Sequence, residues 1–350
     1  MRISDTYADY VDDIAWLRAR LQKESSAHPQ EIKSLAQYYL RKRLPILLDR
    51  STLRTHYWRF KDPRLEKPSP YAPFWFADAF RLTDKEIIRK LVLGYLYITL
   101  AVSIKDDLMD NKVGSGPEHI CLANLYLDKY FDIFRNIFPP ESKFWYTFSN
   151  WMNEWGCTES WRFLFRPTAH DFDPLSDRFL AQSSKYLVCI TMPTLAAIAL
   201  LTKNGSIIPR IAKFARHYCS AFRIQDDLRD WRNDLKVPNF NHSSVLYYVF
   251  RKLGAGFRGK LSENQVLSVF LDQEAITDIY GAVLRCLNRT RDDALVFHSS
   301  YIARFVDEQI SLYTDERDAL FRSRVEFYDG LKRMLSRERN AIQRHVAVSS

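Results

Sequence analysis

Two groups of aspartates are spaced for metal chemistry. In Lys105-Asp106-Asp107-Leu108-Met109-Asp110, the carboxylates of Asp106 and Asp110 stand four residues apart and share one face of a helix. Stacked carboxylates repel and call for a cation. A ligand set of oxygen alone suits Mg²⁺, which accepts one or two carboxylates and completes its octahedron with water and substrate phosphate. Further along, Asp226, Asp230 and Asp234 recur on successive turns of one helix. A solvated acidic helix end would give the first cluster by itself, but would not need the second row at the end of a buried stretch. Here each caps an almost wholly apolar segment, and the two lie 120 residues apart. Together they describe an apolar cavity between helices, with opposed carboxylate rims that hold Mg²⁺ and, through it, a polyanion.

The elements that must position these groups are helices. Runs of alternating β-branched residues bounded by Asn-Gly or Asp-Gly turns are missing. Thr83 with Glu86, Ser262 with Gln265, and Ser34 with Gln37 have the capping-box spacing ahead of apolar periodic segments. Pro139-Pro140, Pro167, Pro174, Pro193 and Pro238 punctuate the chain at intervals that suit helices of roughly ten to twenty-five residues. Val113 to Pro117 and Arg166 to Ser176 read as exposed loops. No linker or repeat divides the chain, so one all-α domain over 1–350 is expected, with residues 1 to about 70 as an N-terminal helical addition.

Composition narrows the function classes. At 350 residues and 47% hydrophobic, the chain can bury a large core. The net charge of +9 raises the question of nucleic acid, but only Arg41-Lys42-Arg43 forms a tight basic run and it is embedded in an apolar segment, so no nucleic-acid partner is expected. Leu91 to Ile104 and Tyr186 to Leu201 fall short of the ~20 apolar residues that span a bilayer and read as buried helices, not membrane segments. The five cysteines have neither CxxC nor zinc-ligand spacing, which suggests unpaired thiols in a cytoplasmic protein. A homodimer is compatible with all of this.

With these residues in view, the sequence resembles the class I isoprenoid synthases, the superfamily of trans-prenyl diphosphate synthases and class I terpene cyclases. Asp106-Asp107-x-x-Asp110 is similar to the first DDxxD motif, and Phe222-Arg223-Ile224-Gln225-Asp226-Asp227 to the second aspartate-rich motif of prenyltransferases, with Arg223 where those enzymes usually have glutamine. Asp226, Asp230 and Asp234 also match the spacing of the cyclases' metal triad, and Lys236 and Asn241-His242 are similar to the Lys and His-Asn that follow it. The departures are an all-aspartate ligand set and the reversed order of Asn and His. Lys185-Tyr186 followed by Pro193-Thr194-Leu195 resembles the helix that carries a basic diphosphate sensor, which makes Lys185 the first choice for that role and Arg178 the alternate. Arg304-Phe305, with Tyr301 nearby, lies near where cyclases carry a diphosphate-capping Arg-Tyr pair.

The resemblance covers roughly residues 73 to 320. It implies the all-α class I isoprenoid synthase barrel with a central cavity, several Mg²⁺ ions (or Mn²⁺) held by Asp106, Asp107, Asp110, Asp226, Asp230 and Asp234, and a prenyl diphosphate substrate. Ionisation of the diphosphate, aided by Arg223 and Lys185, would leave an allylic cation among aromatic side chains. Candidate lining residues are Phe76, Phe80, Tyr95, Thr99, Val102 and Phe222, with Trp151, Trp155 or Trp161. Chain elongation needs a second diphosphate site, and the segment after Asp110 carries no arginine pair for one. Cyclisation or quenching of a geranyl, farnesyl or geranylgeranyl cation therefore ranks first. Transfer to an amino acid or indole, which Arg41, Arg43, Arg50, Arg54 and Arg59 would favour if the acceptor is acidic, ranks second, and transfer to isopentenyl diphosphate third. The non-enzymatic alternative is a binding subunit, which would have no need of two complete aspartate clusters.

Overall fold

The computed structural model describes residues 9–48, 71–109, 116–164, 172–237, 240, 242–254 and 260–349, of which 42–48, 162, 163 and 327–349 enter through their backbone alone. Asp110, Asn241, Pro167, Pro238, Arg50, Arg54 and Arg59 lie outside the described residues. Among the described residues there are thirteen α-helices and no strand. They are α1 (Val11–Ser26), α2 (Gln30–Leu48), α3 (Ala72–Ala79), α4 (Lys85–Met109), α5 (Pro117–Arg135), α6 (Phe144–Leu164) and α7 (Asp177–Ser183). The second half holds α8 (Lys185–Leu201), α9 (Ile208–Asp234), α10 (Ser244–Lys252), α11 (Glu263–Phe270), α12 (Gln273–Ala294) and α13 (Ser300–Ser349).

The apolar segments become the centre of the fold. Helix α8 is buried on nearly every side and packs against α3, α4, α6 and α9. Helix α4 is long and apolar enough to cross a bilayer, yet 67% of that stretch is buried inside the protein, where α5 covers it most extensively. A second apolar cluster joins α9, α10 and α12 to α13.

Local signals were followed unevenly. Ser262 and Gln265 form the reciprocal box at the start of α11, with the Ser262 amide donating to Gln265 Oε1 at 2.9 Å. At α4 the cap is Asp84 and not Thr83: Asp84 Oδ1 accepts from the Ile87 amide at 3.1 Å. Ser34 and Gln37 fall inside α2, which begins earlier because the Pro29 carbonyl already accepts from Ile32 and Lys33. Pro193 does not end a helix but sits within α8. Its ring costs one backbone bond to the Cys189 carbonyl, a loss that packing on four sides of α8 offsets.

Helices α1 and α2 form a hairpin tied to the rest of the fold by polar contacts. Asp9 accepts from Tyr301, Tyr10 donates to Asp78, and Asp13 pairs with Arg89 at 2.6 Å. Glu24 accepts from Tyr97 and from Lys129, the latter at 3.0 Å. Burial alone would raise the Glu24 carboxyl, but the Tyr97 and Lys129 contacts outweigh it and hold it below its ordinary value. A carboxylate depressed in the folded state contributes stability that is complete above the unfolded pKa, about 4.3, and is lost as pH falls through the folded value. Glu24→Gln is accordingly expected to flatten the acid limb of the stability–pH profile below about pH 4, as read by urea melts from pH 3 to 7.

Candidate active site

Helices α3, α4, α8, α9 and α13 enclose a cavity with about 720 Å³ of empty space, its open side included. The wall is almost wholly apolar and includes Trp75 and Phe76 from α3, Tyr95 from α4, Leu187 and Leu195 from α8, and Phe305 from α13. Of the expected lining residues, Phe76, Tyr95 and Phe222 take part. Thr99 turns its hydroxyl onto the Tyr95 carbonyl at 2.8 Å, and Phe80 packs against Phe76 and Phe297. Val102, Trp151, Trp155 and Trp161 stand outside the wall.

Helix α9 links this wall to the carboxylates. Phe214, Tyr218 and Phe222 line the cavity, and Asp226, Asp230 and Asp234 continue the same four-residue ladder. At 3.6 residues per turn, such a ladder drifts by about 40° per step, so its members gradually leave one face. Asp226, one turn beyond Phe222, is half-buried, whereas Asp230 is exposed and Asp234 is buried. The three therefore occupy three environments and do not form a single row.

The drift carries Asp234 round to Arg223, which lies within about 40° of both Asp227 and Asp234 on the helical wheel. Arg223 is 4% exposed and pairs with Asp227 at 3.1 Å. Burial opposes its charge, but Asp227, Tyr186, Asp234 and Asp226 outweigh that and keep the guanidinium protonated. Asp227, 1% exposed, also accepts from the Ser244 amide at 2.7 Å and the Ser244 hydroxyl at 2.5 Å, closing the N-terminus of α10. Burial pushes its carboxyl up while Arg223 and Ser244 pull it down. Arg223 thus stands inside an ion pair that secures the acidic end of α9.

The other cluster reaches the same end of the cavity. Asp106 follows Tyr95 by three helical turns and so shares its stripe, about 16 Å further along α4. It is half-buried, whereas Asp107, 3% exposed, turns away and accepts from Tyr39 at 3.1 Å. The chain bends by 63° at Ser184, so α8 begins afresh with Lys185. Lys185 lies 3.4 Å from Glu154, and the neighbouring Trp155 ring carries Lys105 at 5.0 Å. Tyr186 lies within electrostatic reach of Arg223. The end of α4, the start of α8 and the end of α9 therefore converge.

The remaining candidate bases are more scattered. Arg178 on α7 and Lys236 beyond α9 are exposed, and Arg304 is half-buried on α13 beside the cavity-lining Phe305. Among the described residues no three His, Cys, Asp or Glu side chains gather as a ligand cluster. The donors still suit Mg²⁺, which needs only one or two carboxylates per ion beside water and phosphate. Asp226 in particular is half-buried with no ion-pair or hydrogen-bond partner among the described residues, an arrangement that repays a cation.

Comparison with known proteins now decides the fold. The geranylgeranyl pyrophosphate synthetase from the archaeon Geoglobus acetivorans superposes with a TM-score of 0.54 at 15% identity, over 85% of this chain and 98% of that one. The chain has the all-α isoprenoid synthase fold. No family profile matches the sequence, and no curated protein matches it. In the isoprenoid synthase fold seen here, sequence reasoning overlooked Trp75, Phe214, Tyr218 and Phe305 as cavity wall. For Phe214 and Tyr218 the signal was present, since the four-residue ladder that runs into Asp226 can be read backwards. Trp75 and Phe305 come from distant helices, and only the resemblance at Arg304-Phe305 pointed toward the second of them.

Proposed function

We propose that this chain is a Mg²⁺-dependent class I isoprenoid synthase that ionises an allylic prenyl diphosphate and lets the cation cyclise or be quenched inside the cavity. The observation that carries this reading is the continuity of the α9 ladder: an aromatic wall for the hydrocarbon that passes, within one turn, into carboxylates for the head group. Asp106, Asp226 and Asp230 would hold Mg²⁺, with Asp110 completing the first cluster. When bound, the ions neutralise the diphosphate as it leaves.

The chain's own groups supply the rest. Lys185 at the start of α8 adds positive charge, reinforced by the amide ends of that helix. Tyr95, Phe214, Tyr218 and Phe222 exclude water and offer ring faces to a cation. Arg223 orients the acidic end of α9 through its pair with Asp227. Chain elongation is the second reading, supported by the likeness to a geranylgeranyl pyrophosphate synthetase.

One assay separates the outcomes: purified protein with Mg²⁺ and geranyl, farnesyl or geranylgeranyl diphosphate, with and without isopentenyl diphosphate. Hydrocarbon or alcohol without an acceptor supports cyclisation or quenching, and a longer diphosphate supports elongation. Release of diphosphate only in the presence of an added amino acid or indole supports transfer to that acceptor. No turnover under any of these conditions sinks the catalytic reading. The cavity makes a further prediction. Phe76 packs against Phe214 and Phe297 at ring-centroid distances of 5.8 and 5.0 Å, so Phe76→Leu opens space there. This variant is expected to shift kcat/KM toward the longer prenyl diphosphate by about tenfold, the effect of one or two methylenes, measured by competition.

A further inference from the structure

The hairpin of α1 and α2 has no part in the chemistry above, yet one of its side chains reaches the first aspartate cluster. Tyr39, 1% exposed, donates its hydroxyl to Asp107 Oδ2 at 3.1 Å. Its ring meets His119 edge-on at 5.8 Å, and His119 Nδ1 accepts from the Gly116 amide at 3.1 Å. A single residue of α2 therefore touches the last turn of α4 and, through His119, the first turn of α5. These are the two ends that flank residues 110–115.

A buried carboxylate persists only where donors satisfy it. Tyr39 is such a donor, and its ring is buried against His119. Asp106 follows from that constraint, because successive helical residues differ by about 100°. With Asp107 held toward the hairpin, Asp106 falls on the Tyr95 stripe that faces the cavity. Were Asp107 to swing out, the last turn of α4 would rotate or fray and Asp106 would leave that stripe.

We propose that Tyr39 is a positioning residue for the first aspartate cluster, so that its contact with Asp107 and the binding of magnesium diphosphate are coupled. The inference rests on the metal–diphosphate reading of the site. Its test uses the full chain and the melting temperature in Mg²⁺ titrations at fixed inorganic pyrophosphate. Tyr39→Phe, which removes one oxygen, is expected to raise the Mg²⁺ concentration for half-maximal thermal protection about tenfold, equal to about 1.4 kcal/mol. Tyr97→Phe is the control. It cuts another hairpin-to-barrel bond, to Glu24, well below the aspartates, and is expected to keep the wild-type midpoint.

A merely structural Tyr39 would lower the melting temperature without moving that midpoint. An unchanged midpoint in Tyr39→Phe overturns the proposal, as does an equal rise in Tyr97→Phe. If the wild-type protein itself gains no protection from Mg²⁺ and pyrophosphate, the diphosphate reading falls and this inference with it. A responsive wild type beside an unresponsive midpoint removes the inference alone.

Discussion

Asp226→Ala is expected to lower diphosphate release from the preferred allylic substrate by about a hundred- to a thousandfold, the loss typical of removing one preorganised charge-stabilising group. The same change is expected to move the unfolding free energy by no more than about 0.5 kcal/mol. The two halves have one cause. Asp226 sits one turn beyond the cavity-lining Phe222, half-buried, with no hydrogen-bond or ion-pair partner among the described residues that its removal would strand, and Arg223 keeps its pair with Asp227. Steady-state pyrophosphate release and urea denaturation measure both halves on one preparation. A variant that keeps near-wild-type release would remove Asp226 from the site, and one that fails to fold would show its role to be structural.

The neighbouring carboxylate is expected to behave in the opposite way. Asp227→Ala leaves the Arg223 guanidinium buried beside fewer carboxylates and strips two donors of Ser244 of their acceptor. Breaking a buried pair from one side costs about 3–5 kcal/mol, because the remaining charge stays desolvated. The double variant Arg223→Met with Asp227→Leu is expected to recover much of that loss, since apolar groups of similar volume carry no desolvation penalty. Denaturation midpoints test this directly. If the double variant is as unstable as the single one, the pair is not what secures this end of α9. Kinetics on a stable double variant bear on Arg223 as well: a raised KM would mean that Arg223 contacts the diphosphate, and an unchanged KM leaves it as a support for the carboxylates.

These contrasting expectations for adjacent aspartates show why charge alone is a poor guide to role. Asp106 and Asp107 divide in the same manner, one on the stripe of Tyr95 and the other turned toward Tyr39. In both clusters the helix supplies the separation, about 100° per residue, so one carboxylate can serve the cavity only if its neighbour is satisfied elsewhere. The structural partners, Tyr39 and Ser244, lie 68 and 17 residues away in the chain.

How much was legible in the chain follows from which contacts are local. The sequence by itself determined that the protein is helical, that the apolar stretch ending at Ile104 and the aromatic ladder ending at Phe222 each run into aspartates, and that Ser262 begins a helix with a reciprocal cap. These depend on residues within one or two turns of each other. The α9 ladder from Phe214 to Asp226 was equally local, and a helical wheel drawn through it would have separated Asp234 from Asp226 and placed it beside Arg223. Only the tertiary structure decided the rest. Pro193 stays inside α8 because four neighbouring helices hold it there, and Trp75 and Phe305 join one cavity wall only because α3 and α13 come together around it. Asp107 became an anchor when α2 brought a tyrosine to it. The physical reason is common to all three: periodicity sets the face on which a side chain stands, but burial and the supply of hydrogen-bond partners depend on which helix arrives to cover that face.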